Sequence, residues 1–187
     1  AQVLKDDQPR LLYYDSTSED DILWGTGLGC NGSVRVFLER LPATSGPHVP
    51  DLLSACVFDE KSIALATIFA TEGDTSARPG QHLLLKDDLC TAGDIADAEL
   101  SEKVSAALGE EFAALDITRR SAGKTRHYQL SAAKASVLLE TLLPPVQIFI
   151  FGAGYDAEPV ARLAAELGWT VSVVDHRPSY ARAERFP

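Results

Sequence analysis

Residues 147–151 read QIFIF, a short and mostly apolar strand of the kind buried on both faces of a parallel sheet. The strand runs into Gly152-Ala153-Gly154-Tyr155-Asp156-Ala157, a GxGxxA turn. A helix is predicted from about 157 to 167, with Val160, Leu163, Ala164 and Leu167 on one stripe and Gly168 as its stop. Residues 170–174 (TVSVV) then predict a second strand, ending in Asp175. Strand, glycine turn, helix, strand and terminal acid are the opening of a βαβ dinucleotide-binding unit. No other stretch constrains the fold as tightly. The sequence ends soon after, at Pro187. Two strands and one helix cannot cover both faces of a sheet, so 146–187 is expected to be a truncated Rossmann-like α/β domain. Its cover is expected from absent sequence, from the rest of the chain, or from a second copy, which makes a homodimer the expected assembly.

Pro144-Pro145 marks the boundary with what precedes. Upstream, 11–15, 33–41, 63–71 and 81–85 predict strands, and 95–108 predicts a helix with Leu100, Val104, Ala107 and Leu108 at helical spacing. A hairpin is expected between 117–120 and 126–130, around Ala122-Gly123-Lys124. Residues 1–145 therefore read as an α+β module. A faint internal echo runs through it. SVRVFLERL (33–41) and ASVLLETLL (135–143) coincide at an offset of 101, with Glu39 on Glu140 and Val36 on Val137. On that reading 1–43 is the end of one repeat and 50–145 a second, degenerate one, in which Ser131 stands where Cys30 would be.

The balance of charge narrows the function classes. A net charge of -10 and a pI near 4.8 argue against a nucleic-acid partner. No apolar run reaches the roughly 18 residues of a membrane span, and residues 1–10 are too polar for a secretory signal. Cys30, Cys56 and Cys90 are too few and too far apart for a disulfide framework or a CxxC zinc site, so a reducing, cytoplasmic setting is expected. The chain has no methionine, and Ala1 is therefore expected not to be the native start.

Two places carry candidate chemistry. In the first, Trp24-Gly25-Thr26-Gly27-Leu28-Gly29-Cys30-Asn31-Gly32, four glycines surround one cysteine. Backbone amides freed by Gly27, Gly29 and Gly32 suit an anion such as phosphate, and a Cys30 thiolate beside them could ligate a soft metal. The same pattern also fits a tight turn around a buried structural cysteine. In the second, Gly152 and Gly154 would let a phosphate approach the helix N-terminus, and Asp175 stands where an acid accepts from ribose hydroxyls. Asp156 places negative charge close to that phosphate position. Other features read as structural. Glu19-Asp20-Asp21 is an acidic turn, 75–80 (TSARPG) a hairpin loop, and the four histidines show no zinc spacing. Neither a GxSxG elbow nor a Walker lysine is present.

WGTGLGCNGSVRVFLERL (24–41) and FIFGAGYDAEPVARLAAELGWTVSVVDHRPSYARAERFP (149–187) together resemble the XdhC/CoxI family, accessory proteins of xanthine dehydrogenase, carbon monoxide dehydrogenase and related molybdenum hydroxylases. The resemblance implies an N-terminal domain ending in a GCGG or GCNG loop, followed by a Rossmann domain. It implies a chaperone that binds the molybdenum cofactor (molybdopterin), supports its sulfuration and delivers it to a hydroxylase apoenzyme, with a cysteine desulfurase as a candidate second partner. Gly27, Gly29, Cys30, Asn31 and Gly32 would then hold the cofactor, with Cys30 nearest the metal. Gly152, Gly154 and Asp175 would form a site for NAD(P) or another nucleotide. Residues 72–81 and 93–100 resemble the family's first conserved stretches, the second without its cysteine. The family's GAGH is GAGY here, with Tyr155. The competing expectation is an NAD(P)-dependent oxidoreductase, resting on GAGYDA and Asp175 alone.

Overall fold

The computed structural model describes residues 2–15, 33–40, 61–86, 91–93, 95–115 and 123–186. After a single helical turn, α1 (Val3–Asp6), strand β1 (Arg10–Asp15) pairs antiparallel with β2 (Ser33–Leu38), setting Leu11 opposite Phe37 and Tyr13 opposite Arg35. The main sheet has five strands: β3 (Ile63–Gly73), β4 (His82–Lys86), β5 (Thr91–Gly93), β6 (Lys124–Gln129) and β7 (Ala133–Leu142). Their order is β5-β4-β3-β7-β6, and every neighbouring pair is antiparallel.

Helix α2 (Ala98–Ala113) covers one face of this sheet. Alternate residues of β3, β4 and β7 (Ala64, Ala66, Ile68, Leu83, Leu85, Val137, Leu139) point at it and pack with Leu100, Val104 and Leu108. The opposite face has its own apolar cluster, Ile63, Leu65 and Leu84. With both faces occupied, β3 is buried at six consecutive positions, the apolar run expected of a two-sided central strand. The β1–β2 ribbon meets this second face, where His82 Nε2 lies 2.9 Å from Glu39 Oε2.

Local chemistry shifts two predicted boundaries. The helix starts at Ala98, because the Asp97 carboxylate accepts the Leu100 N–H at 3.0 Å and so fixes the N-cap. It continues through Gly109 to Ala113, since Phe112 still finds the core to pack on. Residues 126–129 do form a strand, but its partner is β7, through a turn in which the Leu130 N–H donates to the Ala133 carbonyl at 2.9 Å. The predicted partner, 117–120, lies outside the described residues.

The last unit is parallel: β8 (Gln147–Phe151) beside β9 (Thr170–Val174), crossed over by α3 (Ala157–Glu166). Its buried helical face is Ala157, Ala161 and Ala164, so of the predicted stripe only Ala164 faces inward, while Val160, Leu163 and Leu167 are 46–65% exposed. Alanines let the helix axis approach a short sheet closely, and that approach leaves the larger side chains outside. Ile148 and Ile150 are half-buried beneath the helix. Phe149 and Phe151, on the other face, are 57% and 82% exposed, and no described residue of the N-terminal module covers them. No helix among the described residues is long and apolar enough to cross a membrane.

Candidate functional site

The glycine turn between β8 and α3 is held by bonds from its own chain. Gly152 takes φ +107°, a conformation that favours glycine, and its N–H donates to the Val174 carbonyl at 2.8 Å. A Cβ there would meet nothing within 4 Å, so the turn is open on that side. At Gly154 a Cβ would come within 2.5 Å of an Asp156 carboxylate oxygen. The first turn of α3 closes with the Ala157 N–H on the Gly154 carbonyl at 3.2 Å.

Asp175, predicted to receive ribose, has a side chain that is 2% exposed and fully engaged. It accepts from the Ala153 N–H at 2.8 Å, the Arg177 N–H at 2.8 Å, and Arg177 Nε and Nη2 at 3.0 and 2.9 Å. The Arg177 guanidinium, helped by the two backbone N–H groups, holds this carboxyl well below the usual carboxylate range. Arg177 in turn lies over the Tyr180 ring at 3.7 Å. A ribose would have to displace Arg177 to reach the acid.

Arg185, which the sequence did not single out, closes the other side. It reaches back across residues 176–184 to donate to Glu158 Oε1 at 2.8 Å, the Ala153 carbonyl at 3.0 Å and the Tyr180 carbonyl at 2.7 Å. The rings of Tyr155, Tyr180 and Phe186 surround its guanidinium at 5.4–5.7 Å. No periodicity or motif signals these contacts, because they exist only once the tail has folded back. Asp156 at the N-cap and Glu158 in the first turn keep acid where a pyrophosphate would sit, and Arg185 answers Glu158. With Asp175 and Arg177 they leave the glycine turn bonded from within its own chain.

The glycine–cysteine loop, with Gly27, Gly29, Cys30, Asn31 and Gly32, lies outside the described residues, as do Cys56, Cys90 and the Glu19-Asp20-Asp21 run. Its anchors are described: β1 ends at Asp15 and β2 begins at Ser33, directly opposite in the ribbon. The loop is thus the connection of an antiparallel hairpin. Another module hairpin, β6–β7, closes through 130–132 instead, where Ser131 gives both its N–H and its hydroxyl to Glu99 at 3.2 and 3.0 Å. The 75–80 loop also turns inward, with the Arg78 guanidinium on the carbonyls of Thr75 and Ala77. Among the described residues no group of three His, Cys, Asp or Glu side chains is placed to hold a metal ion.

Comparison with known proteins gives these geometries a context. Residues 57–128 match the XdhC and CoxI family, and 148–187 match the XdhC Rossmann domain. The chain is 30% identical over 177 residues, 95% of its length, to a Bacillus subtilis (strain 168) protein named as a probable subunit of xanthine dehydrogenase. Its fold superposes on the crystal structure of a xanthine dehydrogenase from Bacillus halodurans with a TM-score of 0.65 and 23% identity, over the whole of this chain. It spans 46% of the former protein and 47% of the latter chain, about half the length of each relative. An α+β module joined to an XdhC Rossmann domain, with both segments matched in order, places the chain in the XdhC and CoxI family.

Proposed function

We propose that this chain is part of a maturation factor for a molybdenum hydroxylase of the xanthine dehydrogenase type, and that it presents the molybdenum cofactor on the Cys30 loop for sulfuration and insertion. The observation that carries the reading is the similarity across 95% of the chain to a protein named for xanthine dehydrogenase. The GLGCNG sequence between β1 and β2 supports it, since a thiolate and free backbone amides suit a soft metal and a phosphate. Asp175 weighs against the oxidoreductase reading, because its carboxylate is engaged by Ala153 and Arg177. The hydroxylase apoenzyme is the proposed client, a cysteine desulfurase a second partner, and a homodimer the proposed assembly, in which a second copy covers Phe149 and Phe151.

Cys30→Ser in the full-length protein tests this. Near-normal melting, weaker retention of the molybdenum cofactor and poor activation of a co-expressed hydroxylase are expected. Unchanged retention and activation would make the thiol structural. Fluorescence titration with NADPH and NADH serves the competing reading: saturable binding that Asp175→Asn weakens would favour an oxidoreductase.

A further inference from the structure

The β1–β2 ribbon lies on the second face of the main sheet without joining it. Its two strands form a sheet of their own, and among the described residues no backbone ladder ties them to β3 or β7. A lone two-stranded ribbon has little stability in water, so side chains decide where it sits. They hold its two ends differently. At the end where Arg10 pairs with Leu38, His82 Nε2 lies 2.9 Å from Glu39 Oε2 and its Nδ1 3.1 Å from Thr67 Oγ1. Gly80 packs so closely there that a Cβ on it would come within 3.0 Å of Pro9. Toward the other end, where Asp15 pairs with Ser33, Tyr13, Tyr14 and Val34 are 55–59% exposed.

Between ribbon and sheet a cleft of about 450 Å³ remains, far more space than a close-packed interior leaves. Its facing walls carry matched groups. Arg35 of the ribbon and Glu140 of β7 both line it, and among the described residues neither has a hydrogen-bond or ion partner. Glu140 is half-buried, and a carboxylate so placed costs desolvation unless something donates to it. Phe37 of the ribbon and Phe69 of β3 line the same cleft. Phe69 stands at a β-bulge, between Ile68 opposite Val137 and Ala70 opposite Ser136, and bulges re-aim a side chain. Acid and base, ring and ring, thus stand on opposite walls of one gap.

We propose that the ribbon is a flap, hinged where Glu39 and Pro9 hold it and open as seen here, and that it closes by bringing Arg35 onto Glu140 and Phe37 against Phe69. Closure gives the half-buried carboxylate a guanidinium donor and takes apolar surface out of water. It rotates one ribbon about its pinned end and has no backbone ladder to break, which is the form of a hinged two-state element. The ribbon also carries residues 16–32, so each closure moves that loop. The flap stands apart from the Cys30 reading: closure needs no cofactor, and either can fail without the other.

Hydrogen–deuterium exchange of the full-length protein, read by mass spectrometry on peptides covering 10–15 and 33–38, tests it. Arg35→Glu and Glu140→Arg, made singly, set like charges across the cleft and should speed ribbon exchange about threefold or more, while α2, on the far face of the sheet, keeps its wild-type rate. The two substitutions together should bring the ribbon back to within about twofold of wild type, a rescue that a merely structural arginine or glutamate does not give. Raising the salt to about 1 M should loosen the wild-type ribbon and leave that of Glu140→Gln as it is. If Glu140→Arg does not fold, Arg35→Gln, Glu140→Gln and their combination serve instead: each should speed exchange, and the combination should be no faster than either alone. Single substitutions that leave ribbon exchange unchanged, a charge swap without rescue, or a combination whose acceleration is the product of the two singles would overturn the proposal.

Discussion

Asp175 joins two elements through one carboxylate: the end of β9 carries it, and the glycine turn is tied to it through the Ala153 N–H. Its pKa is depressed in the fold, so below the ordinary carboxylate range the unfolded chain binds more protons than the native one. The stabilisation is therefore complete above about pH 4, the unfolded value, and is lost as pH falls from there toward the folded value. Thermal denaturation followed by circular dichroism should show Asp175→Asn melting lower than wild type at pH 7, with the gap closing as the pH is taken down to about 3. An equal gap at both pH values would show that the ion pair with Arg177 contributes nothing. The position of this acid was legible in the sequence, 23 residues past Gly152, but its occupation was not. Whether such an aspartate serves ribose or Arg177 depends on a side chain two residues on, whose direction no pattern specifies.

Helix α2 was legible because its signal is redundant. Leu100, Val104, Ala107 and Leu108 repeat at helical spacing, and all four are buried. Its start was less so, since Asp97 is also engaged by Thr75, which donates to its other carboxylate oxygen at 2.8 Å from a distant loop. Asp97→Ala should cost about 1 kcal/mol by chemical denaturation. Leu100→Ala, which opens a hole in the centre of the core, should cost about 2–5 kcal/mol. A smaller loss at Leu100 than at Asp97 would mean that the sheet collapses onto the vacated space. Helix α3 was placed correctly along the chain but, Ala164 apart, wrongly around its axis. Valine and leucine outweigh alanine in any hydrophobic pattern, whereas close approach to a two-stranded sheet selects alanine.

The molecule has two cores of different kinds. The module's core interlocks leucine, isoleucine and valine from α2, β3, β4 and β7, while the XdhC Rossmann unit buries mainly Ala153, Ala157, Ala161 and Ala164. Calorimetry of this chain should therefore show the parallel unit unfolding first and separately, and limited proteolysis should cut near 143–146 before it cuts the module. A single transition with no early cleavage would mean that the two units are coupled. The sequence reading sets the division at Pro144-Pro145; the ribbon-to-sheet cleft was not readable, because it arises only when elements distant in sequence meet. The paired hairpins carry a consequence for engineering. One frame, two antiparallel strands, closes once through 130–132 and once through 16–32. By chain statistics the longer connection adds only about 1.5 kcal/mol of closure entropy, so such a frame can carry a long insert at small expense. Replacing 16–32 by the short turn should then give a chain at least as stable, with its ribbon strands still protected from hydrogen exchange: an empty chassis from which everything the glycine–cysteine insert contributes has been subtracted in one cut.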